Sequence, residues 1–171
     1  EHMLIGWASA DITPSRPVAL RGQFVTRISR YVNDPLTATA LALEAPGTGG
    51  GPEQAILVSC DRVGIPCAIH QRLCDRVAAL LPDFDPAMLV ISATHTHTAP
   101  EIEEGYYLVG DADVMTPTEY GDLFVERVAD AASRAWRSRA EGGVGWGLGY
   151  AVVGRNRRIA YADGSSQMYG R

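Results

Sequence analysis

No apolar run in this chain of 171 residues approaches the ~20 that a membrane-spanning helix needs, so no segment reads as transmembrane. There is no excess of basic charge either. Lys and Arg total 15 against 20 Asp and Glu, a net charge of -5, which argues against nucleic acid as a partner because phosphate binding wants a basic face. Cysteine is scarce. Cys60, Cys67 and Cys74 are odd in number and contain no Cys-x-x-Cys pair, so they read as reduced thiols, and nothing local to any of them suggests a catalytic thiol paired with a histidine. The glycine-rich stretch Pro46 to Pro52 lacks the lysine and following helix of a phosphate-binding loop, which excludes that reading and leaves a hairpin tip. No internal repeat and no domain boundary is visible. Glu1-His2 reads as a cloning remnant before a natural start at Met3, and no basic leader with a signal-peptide core follows, so the expected location is the cytoplasm.

What is present is ordinary for one globular domain, with 46% apolar and 20% charged residues. Residues 4–171 read as that domain. Leu4 to Ile12, Leu36 to Glu44, Gln54 to Ser59 and Met88 to Ile91 have the length and apolar pattern of strands. Phe24 to Val32 reads as a weak strand or loop, and Arg21, Arg27 and Arg30 in this region form either a solvated face or a rim for an anionic group. Pro66 opens a helix whose stripe is Ile69, Leu73, Val77, Leu80 and Leu81, and Pro82 stops it. His70 lies beside that stripe and reads as solvent-facing. A second long helix runs from Thr118 to about Arg139, with Gly142-Gly143 as its expected end. Val144 to Val153, with glycine at alternate positions, reads as a strand, and Asp163-Gly164 as the turn between two short strands. The order predicts an α/β fold: a mixed β-sheet packed with two long helices in a single layered domain.

The chemistry concentrates where the Met88 to Ile91 strand runs into Ser92-Ala93-Thr94-His95-Thr96-His97-Thr98-Ala99-Pro100. If the extended conformation persists, period-two alternation puts His95 and His97 on one side, and converging neutral imidazoles suit zinc. The plainer alternative is two polar residues at a strand end, bonded to backbone and water. A strand of one chain supplies at most two of the three or four ligands zinc requires. Asp61, at the end of a strand expected to neighbour His95, is either an outer acceptor for a ring N–H or a strand-end cap. The segment Glu101 to Thr118, leaving directly from the histidines, is long enough to fold over them.

Five stretches occur in the order in which one known family carries them: Gly6-Trp7-Ala8-Ser9-Ala10-Asp11-Ile12-Thr13-Pro14, Asp34-Pro35-Leu36, Val58-Ser59-Cys60-Asp61, Ser92 to Thr98, and Asn156-Arg157-Arg158 before Asp163-Gly164. In these the chain resembles the N-terminal region of the neutral/alkaline, non-lysosomal ceramidases and their bacterial relatives. The resemblance implies a zinc-dependent hydrolase of amide (ceramide-like N-acyl) bonds. His95 would be a zinc ligand, His97 would face the substrate carbonyl and the zinc-bound water, and Arg157 would help hold the reacting group. The alternative for Arg157 is a surface basic cluster with Arg155 and Arg158. The resemblance places the remaining zinc ligands and a reacting serine beyond Arg171, so the chain reads as the first part of a longer protein holding an incomplete site. It would be inactive alone and prone to self-association where the rest would pack. The family's His-Thr-His continues with Ser-Gly-Pro. Here Thr98-Ala99-Pro100-Glu101 follows, which with the low aromatic content of 8% points to a small-molecule or lipid-like N-acyl substrate other than ceramide itself. The competing reading is a non-catalytic binding or scaffold domain that keeps this fold.

Overall fold

The computed structural model describes residues 3–154 and 157–168. Strands Met3–Asp11 (β1), Thr37–Pro46 (β2) and Pro52–Cys60 (β3) pair antiparallel in sequence order, and Leu89–Ala93 (β4) adds parallel to β3 after a helical crossover. With Ala140–Gly142 (β5) on the far side of β1, the sheet has the order β4-β3-β2-β1-β5. Helices Cys67–Leu80 (α1) and Pro117–Arg137 (α2) pack on one face, and the strand pair Arg158–Ala160 (β6) and Ser166–Met168 (β7) forms a separate hairpin. The expected mixed sheet with two long helices is therefore the observed architecture.

Alternation decides which face is covered. Ala38, Ala40 and Ala42 of β2, Ile56 and Val58 of β3, and Ala10 of β1 are buried toward the helices. They meet Ala129, Ala131, Ala132 and Ala135 of α2, which are also buried. Small residues on both sides bring α2 close to the sheet, and at Gly6 a Cβ would run into the Ala135 carbonyl oxygen. Larger side chains, Phe124, Val128, Leu73 and Val77, fill the space beneath. Each large side chain buried in this way contributes roughly 1.5–3 kcal/mol. The α2 start is specified by Pro117 and a reciprocal cap, in which Thr116 Oγ1 accepts the Glu119 N–H and Glu119 accepts the Thr116 N–H.

The other sheet face is open. Its residues fall into register across four strands, so that Trp7, Leu41, Leu57 and Val90 form one apolar row and Ser9, Thr39, Ser59 and Ser92 a polar row beside it. Trp7 is 71% exposed and Val90 55%.

Three sequence expectations change. The second helix ends at Arg137 with Ser138 as its cap, close to the expected Arg139, but Gly142-Gly143 is not what ends it, because Ala140 to Gly142 pairs with β1 and Gly142 lies opposite Met3. Val144 to Val153 forms no paired strand among the described residues, and its apolar side chains, from Val144 at 63% to Tyr150 at 96% exposure, have no covering layer there. Alternation makes a segment compatible with a strand; a neighbouring edge is still needed to make it one. His70 is half-buried rather than solvent-facing, with Nε2 3.4 Å from the Leu89 carbonyl oxygen and Cys74 Sγ 3.7 Å from Nδ1.

Candidate functional site

β4 ends at Ala93, and the chain then leaves the sheet. His95 has φ 64°, the one positive φ at a non-glycine residue among those described. This left-handed conformation is unfavourable for an L-residue with a side chain, and such strain persists only where the surroundings hold it. The holding contacts are explicit. His95 Nδ1 lies 2.6 Å from the Val63 carbonyl oxygen, in the loop after β3, and His97 Nδ1 lies 2.9 Å from the Gly22 carbonyl oxygen. The Gln23 side-chain amide donates to the His97 carbonyl at 2.7 Å, and Tyr107 in turn donates to the Gln23 carbonyl at 2.8 Å. The segment after the histidines thus does fold back over the 21–23 turn beside them.

A carbonyl oxygen only accepts, so both Nδ1 atoms carry hydrogen and each neutral ring offers its lone pair at Nε2. The two Nε2 atoms face each other 3.4 Å apart, with the rings 79° from coplanar. Two lone pairs aimed at one point repel unless a cation or proton lies between them. Imidazoles bound tetrahedrally to one zinc at ~2.05 Å have their nitrogens ~3.3 Å apart, so the donor set and its spacing fit that ion as two of its ligands. Among the described residues no group of three or more His, Cys, Asp or Glu side chains is arranged to hold a metal ion.

Asp61 acts nearby in a different way from the acceptor role. Its Oδ2 accepts the Thr37 N–H and hydroxyl, each at 2.9 Å, and its Oδ1 accepts the Thr94 hydroxyl at 3.1 Å. It ties the ends of β2, β3 and β4 together just before His95, while the ring N–H goes to Val63. The strand-end cap is the reading that the geometry favours. Arg157 is exposed, immediately before β6, in the hairpin that is separate from the main sheet. The structure brings His95 and His97 together, anchors them near Asp61, and leaves Arg157 on that other hairpin.

Two buried charged residues to which the sequence assigned no structural role lie near the pair. Glu101 is 3% exposed; Oε1 accepts the N–H groups of Ile102 and Glu103, and Oε2 accepts from Arg21 at 2.6 Å. Arg21 also stacks on Tyr106, 3.5 Å from the ring centroid. Of the alternatives for the three arginines, Arg21 is therefore a structural ion-pair partner next to the site. Arg62 is 1% exposed, near the rings of Tyr120 and Phe124 at 5.6 and 5.0 Å, and burial pulls its pKa below the ordinary value. The only sequence signal for it is a charged residue two positions after an apolar strand, which a loop start equally explains.

Comparison with known proteins gives a fold. No family model matches the sequence, and no curated protein matches it. Among solved structures, the neutral ceramidase from Pseudomonas aeruginosa matches with a TM-score of 0.62 at 20% identity, covering 78% of this chain and 21% of that one. A structure described as ceramidase complexed with C2 matches with a TM-score of 0.53 at 19% identity, covering 80% of this chain and 20% of that one. The chain thus spans about a fifth of the length of these neighbours. At this identity the likeness shows the architecture alone, and the chain has a ceramidase-like fold.

Proposed function

We propose that this chain is part of a zinc-dependent hydrolase of amide bonds in N-acyl compounds, in which His97, placed by the resemblance on the substrate carbonyl, instead joins His95 in presenting Nε2 to one zinc ion, and the remaining ligands come from outside these residues. The observation that carries the reading is the convergence of the two Nε2 atoms at 3.4 Å with both Nδ1 atoms held by carbonyls. The ceramidase-like fold supports the reaction class.

Bound there, zinc supplies Lewis-acid polarisation of a carbonyl and lowers the pKa of a water toward ~7. The chain's own contribution is preorganisation. Val63 and Gly22 fix the tautomer and the ring planes, as outer partners of metal-bound histidines do. The Asp61 links to Thr37 and Thr94 hold the strand ends from which the pair projects. Arg157 is proposed to hold the reacting group, a role that needs its multi-donor fork. The substrate is a small or lipid-like N-acyl compound.

The test is release of free acid from an N-acyl amide by the natural polypeptide that contains these residues. Activity should vanish on metal removal, return with zinc, and be absent in His95→Ala and His97→Ala. Turnover that survives metal removal would overturn the hydrolase reading. A folded, metal-free polypeptide that binds the amide without cleaving it would favour the scaffold alternative.

A further inference from the structure

The peptide unit between Gly22 and Gln23 is held at both ends. Its carbonyl oxygen lies 2.9 Å from His97 Nδ1, and its N–H donates to the Tyr107 hydroxyl at 3.0 Å. The carbonyl and N–H of one trans peptide point in opposite directions in one plane, so fixing one end aims the other. The same hydroxyl donates to the Gln23 carbonyl at 2.8 Å, so its hydrogen is committed and it meets the Gln23 N–H as an acceptor. Tyr107 is half-buried, in the segment that folds back over the turn.

The flanks of the turn are fixed without Tyr107. The Arg21 N–H donates to the Ala99 carbonyl at 2.9 Å, and the Glu101 N–H to the Ala19 carbonyl at 2.7 Å. Arg21 stacks on Tyr106, and the Gln23 side chain holds the His97 carbonyl. These contacts leave open the rotation of the 22–23 peptide plane. Gly22 sits at φ +79°, and glycine, with no Cβ, accommodates either orientation of the peptide that follows it. A Cβ there would strike the His97 ring, so the residue that permits the close approach also permits the rotation. Turned over, the peptide would aim an N–H at His97 Nδ1. A ring nitrogen facing a donor accepts, so hydrogen would sit on Nε2 and the lone pair would leave the point where the two rings converge.

We propose that Tyr107 is a positioning residue for His97. By holding the N–H end of the Gly22–Gln23 peptide, its hydroxyl keeps the carbonyl end on His97 Nδ1 and so keeps the lone pair on Nε2. The use of that lone pair as a metal ligand rests on the zinc reading above, whereas the tautomer lock does not.

The test is Tyr107→Phe, which removes the hydroxyl and keeps the ring. Long-range proton–nitrogen correlation spectra of the imidazoles are recorded on metal-free protein, with and without the substitution, at a pH where both rings are neutral. His97 should carry hydrogen on Nδ1 in the unaltered chain, and the form with hydrogen on Nε2 should become the major one in Tyr107→Phe. His95, whose Nδ1 is held by Val63, should stay unchanged, whereas a general loosening of the fold would move both rings. In a zinc titration the apparent Kd should rise at least about twofold, as the inverse of the fraction of His97 that keeps hydrogen on Nδ1. An unchanged His97 tautomer in Tyr107→Phe, equal shifts at His95 and His97, or hydrogen on His97 Nε2 in the unaltered chain would overturn the proposal. With the tautomers as stated, a failure to bind zinc would count against the zinc reading and leave the Tyr107 lock standing.

Discussion

Replacing Gly22 by alanine probes the histidine pair without touching either ring. Gly22 has φ +79°, and a Cβ built on it would lie 2.5 Å from His97 Nδ1 and 2.9 Å from its Cγ and Cε1. Two costs add. The left-handed backbone costs an alanine about 1–2 kcal/mol. The Cβ also forces the His97 ring off the Gly22 carbonyl, which forfeits a hydrogen bond with a net worth of about 0.5–1.5 kcal/mol. The expected destabilisation is roughly 1.5–3.5 kcal/mol. Gly105→Ala is the control, because Gly105 has φ +88° with nothing within 4 Å of where the methyl would sit, so only the backbone cost applies. Urea unfolding of the two variants should separate them by about 1 kcal/mol. Zinc binding should weaken in Gly22→Ala and stay unchanged in Gly105→Ala. If the variants lose equal stability and bind zinc alike, His97 is not held by the Gly22 turn as described.

Three further outcomes follow from the packing. Gly6→Ala pushes a methyl into the Ala135 carbonyl and should cost about 1–3 kcal/mol by overpacking in a denaturation series, whereas free room for that methyl would leave stability unchanged. Burial pushes the Cys60 thiol pKa up to about 12 and also raises that of Cys74, while Cys67 is exposed. Since the thiolate is the reactive form, iodoacetamide at pH 8 should label Cys67 first and Cys60 last, as mass spectrometry of the peptides would show, and early labelling of Cys60 would contradict its burial. Trp7→Lys breaks the apolar row with Leu41, Leu57 and Val90 and should shift sedimentation toward monomer, whereas an unchanged distribution would remove this face as the route to self-association.

The sheet and both helices are legible in the sequence because each buries a face whose spacing is local. The alternation of Ala38, Ala40 and Ala42, and the helical stripe of Ile69, Leu73 and Val77, appear in the sequence at the period that the structure uses. The end of α2 near Arg139 is legible, but the strand that follows is not, because Gly142 is no helix stop; it sits in a strand paired with Met3, at the other end of the fold's sequence. The histidine pair combines both situations. Period-two alternation predicts its convergence, yet His95 leaves the pleat with φ 64°. The rings meet because carbonyls 32 and 75 residues away in sequence, at Val63 and Gly22, hold their far nitrogens. Spacing points to the right residues, and long-range hydrogen bonds supply the geometry. Arg62 and Glu101 escape a sequence reading for the same reason, since a buried charge is defined by what surrounds it in space.

Whether His95 and His97 face one cation through Nε2 is tested most directly by long-range proton–nitrogen correlation spectra of the imidazoles during a zinc titration. Both residues should start with hydrogen on Nδ1, their Nε2 resonances should shift together along one binding curve, and His70 should not respond. With few ligands from these residues alone, the affinity should be weaker than micromolar. Hydrogen on Nε2 in either residue, or a zinc response from only one of the pair, would contradict a shared cation site.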